Sequence, residues 1–231
     1  MRITITNNIT AVISGFLKFY EVGIISSLPK IIGVQSAHAD PVYQYYQQPD
    51  DAHRRFVPQN VRPSVAQAAM IGNPVSMPRV IELERQYNQL AGRQRVFFIQ
   101  VSEQQIMDWQ LRANRNGHIA CTHGGECLAG LKIAVDRKIA ASDETAVVDS
   151  TAHALKFAGF QDLYFADRMP ADFEVVSDPA LINAPVYMHP EGLDQVPAPG
   201  KPLTGRAFEH FVQKVTQAIA EDLKLTKTTA A

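Results

Sequence analysis

Residues 114–131, NRNGHIACTHGGECLAGL, gather two histidines, two cysteines, a glutamate and a Gly-Gly pair into one short stretch. Three chemistries draw on such residues. The first is metal binding, since His118, Cys121, His123, Glu126 and Cys127 are all ligand types. Zinc sites recur at C-x2-C or H-x3-H spacing, however, and these spacings are irregular, with Glu126 and Cys127 falling on a helix start. Copper and iron sites fit no better, so no metal site is expected. The second is a nucleophile, Cys121 beside His118 or His123; nothing in the spacing sets an imidazole against the sulfur, and a buried inert thiol explains Cys121 equally. The third is a backbone site. A short strand, a Gly-Gly turn and a helix N-terminus present free N–H groups to an anion or polar group. TNNITAV, residues 6–12, is a second junction of that kind. Two ordinary βα turns would read the same way, so local sequence leaves the choice open.

The elements that position these residues follow from periodicity. RITIT reads as a strand running into the polar turn NNITA, AVISGFLKFYEVGI as a helix ended near Gly23, and KIIGVQS as a buried strand: the order of a βαβ unit. PVYQYYQ is a short helix or turn, and PDDAHRRFVPQNVRP a polar loop. SVAQAAMIGNP reads as a segment opened by a Ser cap and ended at Gly72 and Pro74. MPRVIELERQYNQL is an amphipathic helix with Val80, Leu83, Tyr87 and Leu90 on one side. The rhythm then repeats: strand RVFFIQVS, a helix capped by Ser102 and stopped by Gly117, extended HIACT, and a helix entered from Gly-Gly. TAVVDST follows as a buried strand, with ALKFAGFQDLYF after it. Alternating strands and helices predict an α/β fold with a mostly parallel open sheet and flanking helices. In such sheets ligands gather at the carboxyl ends of strands, which draws notice to STAHALKF (150–157) and its Lys156. Two regions are expected: the α/β domain over residues 1–166, and a Pro-rich extension with a terminal helix over 167–231.

Composition narrows the class. The chain has 231 residues, 46% of them apolar, and a formal net charge of −1, which suits a protein with a sizeable core. No basic cluster with interleaved aromatics suggests nucleic acid. No apolar run approaches the roughly 20 residues needed to cross a bilayer. Arg2, AVISGF and the small residues Ala37 and Ala39 imitate a secretory signal, but Lys18, Glu21, Pro29 and Lys30 interrupt it. The two cysteines form no disulfide framework, so a reduced, cytoplasmic setting is expected.

Five stretches carry a resemblance: GIISSLPKIIGVQSAHADPVYQYY, RPSVAQAAMIGNPVSMPRV, VSEQQIMDWQ, NGHIACTHGGECLAGL and DSTAHALKFAGF. In order and spacing they resemble the C-terminal half of the threonine synthase family, over about residues 1–165. That family belongs to the fold-type-II enzymes dependent on pyridoxal phosphate, together with tryptophan synthase β and the serine/threonine dehydratases. The resemblance implies part of the large domain of a tryptophan synthase β-like fold. It also implies a carbon–oxygen lyase of threonine biosynthesis that converts O-phospho-L-homoserine and water to L-threonine and phosphate.

The family's site residues carry over unevenly. Its phosphate loop, roughly Gly-Asn-x-Gly-Asn, falls on Asn7, Asn8, Ile9, Thr10 and Ala11. Asn8 matches, both glycines are replaced, and Thr10 adds a hydroxyl. The Ser or Thr that meets the pyridine nitrogen falls on Gly124. The hydroxyl is absent there, and the resemblance leaves Thr122 or Glu126 to contact the ring. The lysine that binds the cofactor covalently lies in a Phe-Lys-Asp motif, which this sequence lacks; Lys156 is not at its place. The resemblance therefore implies no catalytic residue within this chain. An N-terminal half or a partner subunit would carry the lysine, and MRITIT reads as an internal segment. Two alternatives stay open: another fold-type-II enzyme, a dehydratase or β-replacement enzyme, or a non-catalytic pseudo-subunit.

Overall fold

The computed structural model describes residues 2–5, 8–183, 185, 187–188 and 190–225. By their contacts they fall into two units, Met1–Asn183 and Ala184–Ala231.

The first unit is built on four parallel strands, β1 (Arg2–Ile5), β2 (Ile31–Ser36), β3 (Val96–Val101) and β4 (Val147–Val148), in the order β3-β2-β1-β4. The expected parallel α/β sheet is therefore present. The chain winds from β1 to β3 in one direction and then returns to place β4 on the other side of β1. That reversal opens a crevice beyond the carboxyl ends of β1 and β4.

Each face of the sheet is covered by a helical pair. On one lie α1 (Ile9–Glu21) and α3 (Met77–Ala91), whose Ile9, Ile13, Met77, Val80 and Tyr87 pack on Ile31, Val96 and Phe98. On the other lie α4 (Glu103–Arg115) and α5 (Thr122–Asp136). There Ile106, Met107, Leu111 and Cys127 meet Ile32, Val34 and Ile99. Ile31 and Ile32 thus serve opposite faces, as the two-residue period of a strand dictates, and all six residues of β2 are buried. The short helix α2 (Pro41–Gln47) follows β2, its first N–H groups at Val42 and Tyr43 both taken by Gln35 Oε1. Ser102 caps α4 as expected, and Gln105 returns the bond, closing a capping box.

Four expectations need correction. SVAQAAMIGNP forms only one 3-10 turn, Gln67–Ala69. Its backbone is engaged elsewhere: the Val65 N–H donates to Glu103, and the Gln59 N–H to the Gly72 carbonyl. β4 is two residues long at the sheet edge with Val147 half exposed, not a buried strand. Gly124 and Gly125 do not precede the helix; they lie inside its first turn, because α5 already begins at Thr122. Leu90, assigned to the inner side of α3, is half exposed.

The glycines of α5 set how closely it packs. A Cβ on Gly125 would lie 2.3 Å from the Ile106 carbonyl oxygen of α4, and one on Gly130 2.4 Å from Val34 Cγ2 of β2. After α5 come a 3-10 turn (Ala154–Phe157), α6 (Ala158–Phe165) and an irregular strap through Asn183, which buries Val175 and Leu181 against the α4/α5 side. In the second unit the terminal helix α7 (Gly205–Asp222) forms as expected, with no residue buried. Among the described residues no helix is long and apolar enough to cross a membrane.

Two substitutions test this packing with opposite signs. Gly125→Ala, blocked by backbone, is expected to cost about 1–3 kcal/mol in urea unfolding. Gly15→Ala, mid-α1 with nothing within 4 Å of the new methyl, is expected to gain about 0.5–1 kcal/mol.

Candidate cofactor site

The β1–α1 junction opens into the crevice. Asn7 lies outside the described residues. Asn8 is the N-cap of α1 and exposed, Ile9 is buried in the core, Thr10 is half-buried and Ala11 exposed. No side chain caps this helix, and no acidic residue occupies its first turn. Its leading N–H groups and the positive end of its dipole are therefore available to an anion. Asn8 and Ala11 line a cavity of about 350 Å³ together with Val12, Gly15, Phe16 and Phe19 along α1, and Asp149 just after β4. Asp149 went unassigned at the sequence level. The signal was its place directly after a strand, one residue before the noted STAHALKF.

The α5 junction is built differently. Gly124 faces Ala120 and Ser150: a Cβ there would lie 2.9 Å from the Ala120 methyl and 3.1 Å from Ser150 Oγ. Residues four apart share a helix face, so Thr122, Glu126 and Gly130 form one stripe, and Gly130 rests on Val34. The stripe therefore runs toward the carboxyl end of β2. Thr122 and Glu126 are fully buried, and neither the Thr122 hydroxyl nor either Glu126 oxygen has a hydrogen-bond partner. Gln110 of α4 is also buried with its amide unpaired. Close by, the buried Glu103 is well served, accepting from Ser36 Oγ and from the Val65 N–H at 2.7 Å. Burial first, and then the neighbouring Glu103 charge, drive the Glu126 carboxyl far above the ordinary range. The neutral acid is the form the fold holds.

The histidines and cysteines separate. His118 is exposed. His123 is buried, and its Nε2 accepts the Ala68 N–H at 3.2 Å. Its other nitrogen, Nδ1, therefore carries the proton and points at Cys121 Sγ, 3.7 Å away. Burial pushes the Cys121 thiol up, but this ring contact and the N–H groups of Gly124 and His123 outweigh it and bring the thiol down to about 7. Because His123 donates to the sulfur, it is not arranged as its base, and Cys121 is fully enclosed. Neither Cys121 nor Cys127 is in a disulfide. Among the described residues no group of three or more His, Cys, Asp or Glu is placed to hold a metal. Lys156 is exposed over the Phe157 ring, lining a separate cleft with Gln67, Phe160 and Leu163.

The state of Glu126 has a measurable consequence. With its folded pKa raised, the native state keeps a proton that the unfolded chain releases above the ordinary glutamate value near 4.3. Its contribution to stability therefore falls as pH rises from there to the folded pKa, by up to about 1.4 kcal/mol per pH unit. Glu126→Gln, which cannot ionise, is expected to flatten that decline in urea melts at pH 5 and pH 8, gaining most over the parent at pH 8.

The model of the family described as pyridoxal-phosphate dependent enzyme matches residues 6–151, from the β1–α1 junction to the loop after β4. The chain is 32% identical over 151 residues to threonine synthase 2, chloroplastic, of Arabidopsis thaliana, covering 65% of this chain and 27% of that protein. It is 29% identical over 150 residues to threonine synthase of Methanocaldococcus jannaschii, covering 64% and 35%. To threonine synthase of Mycobacterium tuberculosis it is 28% identical over 168 residues, covering 71% and 42%. The chain thus spans only a quarter to two fifths of the length of these relatives. Since the matched residues bracket both helix junctions and the crevice between them, this chain belongs to the pyridoxal-phosphate dependent enzyme family.

Proposed function

We propose that this chain is the C-terminal portion of a threonine synthase acting on O-phospho-L-homoserine, within a tryptophan synthase β-like fold of type II. The observation that carries this reading is the uncapped N-terminus of α1, opening on the β1/β4 crevice inside the family match. Pyridoxal phosphate fits there at its phosphate end. The backbone N–H groups of Asn7, Asn8, Ile9, Thr10 and Ala11, with the Thr10 hydroxyl, would hold that phosphate without glycines. Gly124, packed on Ala120 and Ser150, would stand on the ring side, backed by Thr122 and Glu126. The neutral Glu126 acid would bring a hydrogen-bond donor there, not a charge. When bound, the cofactor supplies the electron sink that the elimination of phosphate requires.

The lysine comes from elsewhere in this reading, from an N-terminal half or a partner subunit, and the small-molecule substrate is an amino-acid phosphate. Two buried cysteines outside any disulfide fit a reducing compartment such as the cytoplasm. The missing Phe-Lys-Asp motif also favours a second reading, a pseudo-subunit that keeps the fold without turnover. The altered ring-nitrogen position favours a third, a related dehydratase or β-replacement enzyme.

Two experiments separate these. Ala11→Asp places a carboxylate in the first turn of α1, which favours the helix but opposes a bound phosphate. Equilibrium binding of pyridoxal phosphate to the 231-residue chain is expected to weaken about tenfold or more, about 1.4 kcal/mol, with no loss of thermal stability. Co-expression with the lysine-bearing N-terminal portion of a threonine synthase is expected to yield phosphate from O-phospho-L-homoserine. A stable complex that forms 2-oxo acid from L-serine or L-threonine and releases no phosphate would favour the dehydratase. A complex with no turnover would favour the pseudo-subunit.

A further inference from the structure

The strap that follows α6 lies beyond the family match, yet it reaches back to the carboxyl end of the sheet. Its anchors are specific. Ser177 Oγ donates to the Tyr164 carbonyl, the Asp178 N–H to Tyr164 Oη at 2.8 Å, and Val176 exchanges bonds with the Gln104 amide at 2.7 and 3.0 Å. At its head is Glu174, held in the left-handed backbone region at φ 52°. Such a conformation is unfavourable for a residue with a side chain and persists when its surroundings enforce it.

The Glu174 N–H closes the 3-10 turn on the Ala171 carbonyl at 2.9 Å, and its side chain meets a buried histidine. His38, in the loop after β2, is almost completely enclosed. Its Nδ1 lies 2.5 Å from the Pro63 carbonyl oxygen, and its Nε2 lies 3.2 Å from Glu174 Oε2. A carbonyl and an ionised carboxylate only accept hydrogen bonds, so both ring nitrogens must carry protons for both contacts to be made. The closed arrangement is thus an imidazolium. The charged groups around it agree. Glu103 of α4 stands 3.9 Å from Nδ1, Glu174 of the strap lies on the other side, and Arg62 pairs with Glu174 from outside. The neutral Glu126 acid of α5 is the next group behind Glu103. The bonds to His38 and then Arg62 hold the Glu174 carboxyl below its ordinary range.

We propose that the strap is a pH-sensitive latch, closed by Glu174 on protonated His38 and released when His38 loses its proton. Loss of that proton leaves a lone pair on Nε2 facing the carboxylate. The Glu174 side chain is then held by Arg62 alone, at an exposed pair of little strength. Histidine is the side chain that ordinarily changes charge between pH 5 and 8, which sets the pH range of the test. The inference rests on the geometry around His38 and is independent of the assigned reaction.

Hydrogen exchange on the full chain tests it. The Val176 and Asp178 amides are the reporters, and the amides of β3 the internal reference. In the wild type, protection of the two strap amides relative to β3 is expected to fall about tenfold between pH 6 and pH 8, as one proton is given up. In Glu174→Gln the amide accepts from a protonated ring and donates to a neutral one, so the step should vanish. Glu174 is exposed, so this variant does not endanger folding. His38→Gln, permanently neutral, should also show no step. Strap protection that is constant with pH in the wild type overturns the proposal, and so does a step that survives in Glu174→Gln.

Discussion

The contact on which this fold most depends is the seating of α5 on the sheet. Gly125 and Gly130 let the helix come so near α4 and β2 that any side chain would strike a carbonyl or a valine. That approach makes β2 fully buried and turns the first turn of α5 into a wall at the carboxyl edge of the sheet. It also has a polar cost. Thr122 and Glu126 are drawn into the same seam, where neither finds a partner. An ionised carboxylate there would be prohibitive beside Glu103, so the packing itself dictates that Glu126 is an acid. The seam therefore fixes both the mechanical and the electrostatic character of that edge.

Two helix N-termini meet this edge and have been settled in opposite ways. That of α5 has no side-chain cap, but it is enclosed: Cys121, Thr122 and His123 are all buried, and the His123 ring faces Cys121 Sγ at 3.7 Å. That of α1 is left open. It has neither cap nor acid, its N-cap Asn8 is exposed, and the cavity in front of it is floored by its own apolar face. An anion is the natural complement of the open end, and the enclosed end is a packing element. This asymmetry explains why the residue-rich stretch NRNGHIACTHGGECLAGL, the more conspicuous in sequence, is the less accessible in structure.

The extent to which the sequence foretold this follows from what each signal encodes. Strands and helices with clean periodicity, such as β2, β3, α3 and α4, were legible, as was the Ser102 cap, because local residues alone decide them. The Gly-Gly pair was misplaced because glycine signals permissiveness, and whether it makes a turn or a close helix contact is decided by α4 and β2. SVAQAAMIGNP was misread because Glu103, far along the chain, takes its backbone N–H. β4 looked buried from its valines, but edge position is a matter of topology. The Glu174–His38 contact was invisible for the same reason: it joins segments that only the folded chain brings together.

The strap shows how residues outside the family match can still govern the matched part. His38 donates its backbone N–H to Ser36 Oγ, and Ser36 Oγ in turn donates to Glu103. Glu103 also accepts the Val65 N–H, and its charge adds to the burial that raises the Glu126 carboxyl. Hydrogen bonds therefore link His38 through Ser36 to Glu103, the neighbour of Glu126 on α5. Since all of them line the carboxyl side of β2 and β3, the loops that follow those strands cannot change their electrostatics independently.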